Sequence, residues 1–201
     1  MRLDVNDFPL RSTLMKRQIP VFCCLLLLFA LSSLAAQTNT AKSDQKPAQL
    51  FAPVGKEVPD IEGEDLDGKP FKLSDYRGKV VMLTFWGNWC PDCRAMFPHE
   101  RTLLKRMEKK PFALIGVNSD KDKAVVKKAM EKEQVTWRSF WDGGSTKGPI
   151  STKWQIRGWP TLFIIDHKSV VRVSYALGRS PGEEPLDTWI DRLVKEAEEK
   201  K

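Results

Sequence analysis

Val80-Val81-Met82-Leu83-Thr84-Phe85-Trp86-Gly87-Asn88-Trp89-Cys90-Pro91-Asp92-Cys93 joins a continuous apolar run to a cysteine pair through a short Gly-Asn-Trp connection. Val80–Phe85 has the length of a strand and no polar alternation, the pattern of a strand buried on both faces. From Pro91 onward, apolar Met96, Leu103, Leu104 and Met107 recur at helical spacing. Cys90 therefore falls at a helix N-terminus, where unpaired N–H groups and the helix dipole favour a thiolate. There a thiol of ordinary pKa, about 8.5, becomes a nucleophile near neutral pH. Cys93, one turn on and on the same side of the helix, is placed to resolve a mixed disulfide formed by Cys90.

Around this stretch the chain alternates strand and helix. Val58–Leu73 reads as two short strands around Asp67-Gly68, a strong hairpin signal. Phe112–Val117 and Thr161–Ile165 are further buried strands, and Trp137–Trp141 is a short one. Between them Asp122–Glu133 reads as a charged helix with Val125, Ala129 and Met130 on one face. Val170–Tyr175 alternates like an antiparallel edge, and Glu184–Glu199 is an amphipathic helix burying Leu186, Trp189, Ile190, Leu193, Val194 and Ala197. Such an order implies an α/β domain with a mostly parallel sheet covered on both sides. No internal repeat and no glycine-rich phosphate loop occurs, so no cofactor is expected.

The 201 residues carry a net charge of +7, with acids and bases interleaved and no concentrated Lys/Arg stripe. A mixed solvated surface explains this better than nucleic-acid binding. Ile19–Ala36 is an apolar run preceded by Lys16-Arg17 and followed by polar Gln37–Thr40, with small residues for cleavage near Ala35-Ala36. Residues 1–36 are therefore expected to be a signal peptide or, uncleaved, a membrane anchor. Met15 makes a cleaner start than Met1, because Asp4 and Asp7 are out of place in a basic leader. Residues 37–51 read as a flexible linker and 52–201 as the folded domain, exported to the periplasm or another extracytoplasmic space. Cys23 and Cys24 are apolar filler within the leader, which leaves Cys90 and Cys93 alone in the domain. Two cysteines three apart close too small a loop to serve as a useful staple, so their spacing argues for chemistry. A zinc site would need two more ligands, and His99 and His167 fit no zinc spacing.

The second motif is Gly158-Trp159-Pro160-Thr161, immediately before the third buried strand. Together, Gly78–Cys93 and Trp154–Asp166 resemble the TlpA-like (ResA-like) branch of the thioredoxin family over roughly residues 52–196. The resemblance implies a thioredoxin-like fold: a central mixed sheet flanked by helices, with an N-terminal β-hairpin and an inserted helix. It implies that Cys90 is the exposed attacking thiol and Cys93 the buried resolving one. Pro160 would be cis against the pair, the Trp159 backbone would meet an extended substrate segment, and Trp89 would shape the rim, with Pro91 and Asp92 completing the site. Family members reduce disulfides in exported proteins, often apocytochromes c, and draw electrons from a membrane or exported thiol donor.

Two positions depart from the family. Relatives often carry Glu three residues after the second cysteine, where this chain has Met96, and thioredoxin has a buried Asp where this chain has Thr84. Glu100 shares the helix face of Cys93 but is too far along it for direct contact. Asp92, about 7 Å from Cys90, would repel a thiolate by roughly 0.6–2 kcal/mol and oppose the helix dipole, which favours a reductase over an oxidase.

Against these readings, His99 and His167 are expected at the surface, and Trp137, Trp141, Trp154 and Trp189 in the core. Trp159 suits a substrate-facing role and simple packing equally. Two other classes compete. A peroxiredoxin-type peroxidase wants Thr or Ser three before the attacking Cys and Pro four before that, where this chain has Gly87 and Leu83. A non-catalytic interaction module could retain the fold without the chemistry.

Overall fold

The computed structural model describes residues 54–176 and 184–200. The expected leader at 1–36 and linker at 37–51 lie outside the described residues. Within the domain the first elements are β1 (Glu62–Glu64) and β2 (Pro70–Lys72), an antiparallel hairpin. Its turn is built by Asp65, whose carboxylate accepts from the N–H groups of Asp67 and Lys69, and by Gly68, which takes a left-handed φ of 78°. The strands are shorter than the apolar pattern of 58–73 implied, because Leu73–Tyr76 winds into a 3-10 turn closed by Asp75 on the Lys72 N–H.

The main sheet contains β3 (Val80–Trp86), β4 (Phe112–Asn118), β5 (Ser139–Trp141), β6 (Thr161–Ile165) and β7 (Val171–Ala176), in the order β5-β4-β3-β6-β7. β3 runs parallel to β4 and β4 to β5, while β6 is antiparallel to both β3 and β7. The sheet is thus mixed, and the mostly parallel reading of the three apolar runs is corrected. A strand buried on both faces reads the same in either direction. The connection Asp142–Pro160 is long enough for a parallel crossover, but it holds only the 3-10 turn Ser145–Lys147 and the five-residue α3 (Pro149–Lys153), and the direction is seen in the pairing itself. β6 accordingly starts where β3 ends, with Thr161 opposite Phe85. That reversal brings Gly158–Pro160 to the same edge of the sheet as Cys90.

Two longer helices precede α3: α1 (Pro91–Arg106) and α2 (Lys123–Lys132). The chain ends in α4 (Leu186–Glu198). α1 packs on the Trp86 face of β3, with Phe97 edge-on to both Trp86 and Trp137 at ring separations of 5.4 and 5.6 Å. On the opposite face, Phe85 and Phe163 pack against the fully buried Trp154. α4 is joined to α1 by Arg106 on Asp187 and Asp191 and by His99 on Asp187.

Two helix faces differ from expectation. In α2, Asp122 caps the N-terminus and the buried residue is Val126, whereas Val125 is 54% exposed. In α1 the buried stripe is Cys93, Phe97, Glu100 and Leu103, continued by Met107, and Met96 and Leu104 are only half-buried. An acid on the core stripe displaced the reading made from apolar residues alone.

Candidate active site

Cys90 is the N-cap of α1 in extended conformation, Pro91 occupies the first helical position, and Asp92 sits exposed in the first turn. The proline suits that position because it has no N–H to satisfy and its φ is already helical. Cys90 and Cys93 are disulfide-bonded with Cα atoms 5.3 Å apart. The Cys90 sulfur also accepts the Cys93 N–H at 3.1 Å, so the helix N-terminus addresses the sulfur directly. Cys93 is buried as expected. Cys90 is not exposed: it shows 4% of its surface against 2% for Cys93, because its sulfur is turned inward to Cys93.

The second motif lands beside the first. The Trp159–Pro160 peptide bond is cis, Pro160 is buried, and Thr161 closes the turn by donating to the Gly158 carbonyl at 2.8 Å. Trp159 is 9% exposed, donates its indole N–H to Ser119 Oγ at 3.1 Å, and lies 5.7 Å from the Trp89 ring. Packing therefore dominates at Trp159. Trp89 is 46% exposed and forms the rim.

The connection that carries Cys90 is clamped from β4 by residues the sequence reading passed over. Asp120 accepts from the Asn88 N–H at 2.7 Å and from Asn118 Nδ2 at 2.8 Å, while the Ser119 N–H donates to the Trp86 carbonyl. Asn118, Ser119 and Asp120 are all buried. Their signal was available: three polar residues directly after a buried strand, at the carboxyl edge where open α/β sheets place their sites. Gly87 belongs to the same clamp, since a Cβ there would meet the Trp89 ring at 2.4–2.9 Å.

Of the other candidates, Trp137 and Trp154 are core, and Trp141 and Trp189 are half-buried. His99 is on the surface, 3.0 Å from Asp187. His167 is corrected: its residue lies in a turn, yet both ring nitrogens are buried without a hydrogen-bond partner. Thr84 and Glu100 form a second buried polar pair below the cysteines. Glu100 is 1% exposed, and neither its Oε1 nor Thr84 Oγ1 makes a hydrogen bond of normal geometry. Burial pushes the Glu100 carboxyl up to about 8, with the Thr84 hydroxyl pulling the other way.

A dithiol at a helix N-terminus, faced by a cis-proline turn on a central mixed sheet, defines a thioredoxin-fold thiol–disulfide oxidoreductase. Residues 54–174 match the AhpC/TSA family, and the chain belongs to it and, within it, to the ResA-like thiol–disulfide oxidoreductases. The thiol–disulfide oxidoreductase ResA of Bacillus thuringiensis is 32% identical over 141 residues, covering 70% of this chain and 79% of the relative. A solved structure described as a candidate protein disulfide isomerase from Bacteroides thetaiotaomicron has a TM-score of 0.64 and 28% identity, over 76% of this chain and 96% of that one. The thioredoxin domain of a thiol–disulfide oxidoreductase from Bacteroides vulgatus gives 0.58 and 25%, over 72% and 97%.

Proposed function

We propose that this oxidoreductase works outside the cytoplasm as a reductase of disulfides in exported proteins, with apocytochromes c among its substrates. The observation that carries the reading is the Cys90 sulfur held on the Cys93 N–H at the N-terminus of α1, with Cys93 buried behind it. In the reduced protein the same N–H and the helix dipole stabilise a Cys90 thiolate. That thiolate attacks one sulfur of a substrate disulfide, and the other sulfur leaves as a thiolate. Cys93 then attacks the Cys90 sulfur, closes the Cys90–Cys93 bond and releases the second substrate sulfur. Trp89 and the Trp159–Pro160 turn border the path by which an extended segment reaches the sulfurs. A membrane or exported thiol donor restores the dithiol.

Asp92 supports the direction. Its exposed carboxylate in the first turn opposes the dipole and raises the energy of the Cys90 thiolate, which favours giving electrons away. The apolar run 19–36 after Lys16-Arg17 supports export. Resemblance to ResA-like proteins supports the substrate class.

Gly87 bears against the peroxidase alternative. The position carries no hydroxyl for peroxide chemistry, and a Cβ there would displace the Trp89 ring.

The test uses a peptide carrying a Cys-x-x-Cys-His disulfide, the haem-attachment pattern. Reduced protein is expected to reduce it, Cys90→Ser to be inert, and Cys93→Ser to accumulate the Cys90–peptide adduct by mass spectrometry. No adduct and no reduction would exclude this substrate class, and binding of the peptide by the unmutated protein without turnover would point to an interaction module.

A further inference from the structure

Cys93 is 2% exposed, and a thiol of ordinary pKa, about 8.5, buried in apolar surroundings holds its proton more tightly still. It must nonetheless lose that proton to attack Cys90, and bulk water does not reach it. Glu100 is the ionisable group on its own helix face: Cys93, Phe97 and Glu100 follow one another down the buried stripe of α1. Helical side chains lean toward the N-terminus, so the tilt and reach of a glutamate shorten an axial separation of about 10 Å over seven residues. The strand opposite is in matching register. Phe97 meets Trp86, and one step further from the cysteines Glu100 faces Thr84, two residues before Trp86 on the same face of β3. Two buried oxygens with free hydrogen-bonding capacity, Thr84 Oγ1 and Glu100 Oε1, therefore sit below the resolving cysteine. Unsatisfied buried oxygens of this kind are the groups a buried water bridges.

A buried acid without a hydrogen-bond partner at Oε1 destabilises the fold, so its place on this stripe calls for a reason in the chemistry. We infer that Glu100 is the proton acceptor for Cys93, relayed by the Thr84 hydroxyl and a water molecule. As a group acting through others it is a positioning residue for proton transfer. The inference rests on the Cys90–Cys93 cycle described above.

Once Cys90 is joined to substrate, the Cys93 S–H proton passes to the Glu100 carboxylate. The Cys93 thiolate attacks the Cys90 sulfur, the bond between Cys90 and substrate breaks, and the departing substrate thiolate takes the proton from Glu100. Two electrons move from the dithiol to the substrate disulfide, and Glu100 returns to its starting state. With a pKa raised to about 8 by burial, Glu100 is close to an ordinary thiol, the match that makes a positioned base effective. Only burial and Thr84 shift the Glu100 carboxyl, His99 on α1 is turned to Asp187 at the surface, and Asp120 after β4 is held by Asn88 and Asn118.

Stopped-flow mixing of the reduced protein with a disulfide peptide separates formation of the Cys90 adduct from its resolution by Cys93. Glu100→Gln is expected to slow resolution by about a hundredfold or more and to flatten its pH profile, with formation unaffected; Thr84→Val should slow resolution less. Resolution with unchanged rate and pH profile in Glu100→Gln overturns the inference. Absence of the adduct phase in the unmutated protein overturns the oxidoreductase cycle itself, and so is distinguishable from failure of Glu100 alone.

Discussion

Gly87 and Trp89 constrain each other through a contact that admits no Cβ, with the Trp89 ring at 2.4–2.9 Å from where one would lie. Gly87→Ala is expected to displace the indole, change its fluorescence, and cost about 1–3 kcal/mol as an overpacked site does, measured by denaturant unfolding. At Trp159 the corresponding change is smaller. Trp159→Phe removes the indole N–H bond to Ser119 and is expected to cost roughly 0.5–1.5 kcal/mol while leaving Ser119 Oγ short of a partner. The chemistry-bearing residues were legible one by one. Cys90 and Cys93 stand out by spacing between a strand and a helix, and Pro160 by its place before a buried strand. What the residue scale concealed was exposure. Nothing in the string Trp89–Cys93 says that, in the disulfide, the Cys90 sulfur turns inward to the Cys93 N–H and leaves Trp89 as the accessible edge.

α1 shows why patterns mislead at functional helices. Its core stripe contains an acid, so counting apolar residues rotated the expected face toward Met96 and Leu104, and only the packed structure shows Phe97 as the anchor between Trp86 and Trp137. Phe97→Ala should therefore cost about 3–5 kcal/mol, read from the denaturation midpoint, because it empties the space between two buried rings beneath the disulfide. The connection between β3 and α1 depends on β4 as much as on its own sequence. Asp120→Ala removes the acceptor of the Asn88 N–H and is expected to raise hydrogen exchange at Asn88 and Trp89 and slow turnover, with Cys90 and Cys93 intact. The direction of β6 was also beyond pattern reading. It is set by the pairing of β6 with β3, and it is what puts the cis-proline turn beside the cysteines.

A mixed sheet covered on both faces sets the cysteine pair at one edge and leaves the buried Glu100 beneath it. The acid links stability to pH. Its folded pKa, about 8, lies above the ordinary 4.5, so the folded state binds more protons than the unfolded chain between those values. Stability is fully present below about pH 4.5, falls by up to about 1.4 kcal/mol per pH unit toward pH 8, and is level above it. Glu100→Gln is expected to remove this slope, so that the variant gains on the unmutated protein as pH rises; the same stability difference between the two proteins in urea titrations at pH 5 and pH 9 would contradict it. The alternation of strand and helix, the hairpin and the redox pair were readable because each leaves a local trace. Strand direction, the Asp120 clamp and the Thr84–Glu100 pair were not, because they exist only once distant segments meet. The central claim is that Cys90 and Cys93 form a reducing couple. The most direct test is the reduction potential of the purified chain in thiol buffers, followed by the fluorescence of Trp86 and Trp89. A reversible two-electron couple near about −200 to −280 mV is predicted, whereas a value near about −120 mV, that of an oxidase, or no couple at all would contradict it.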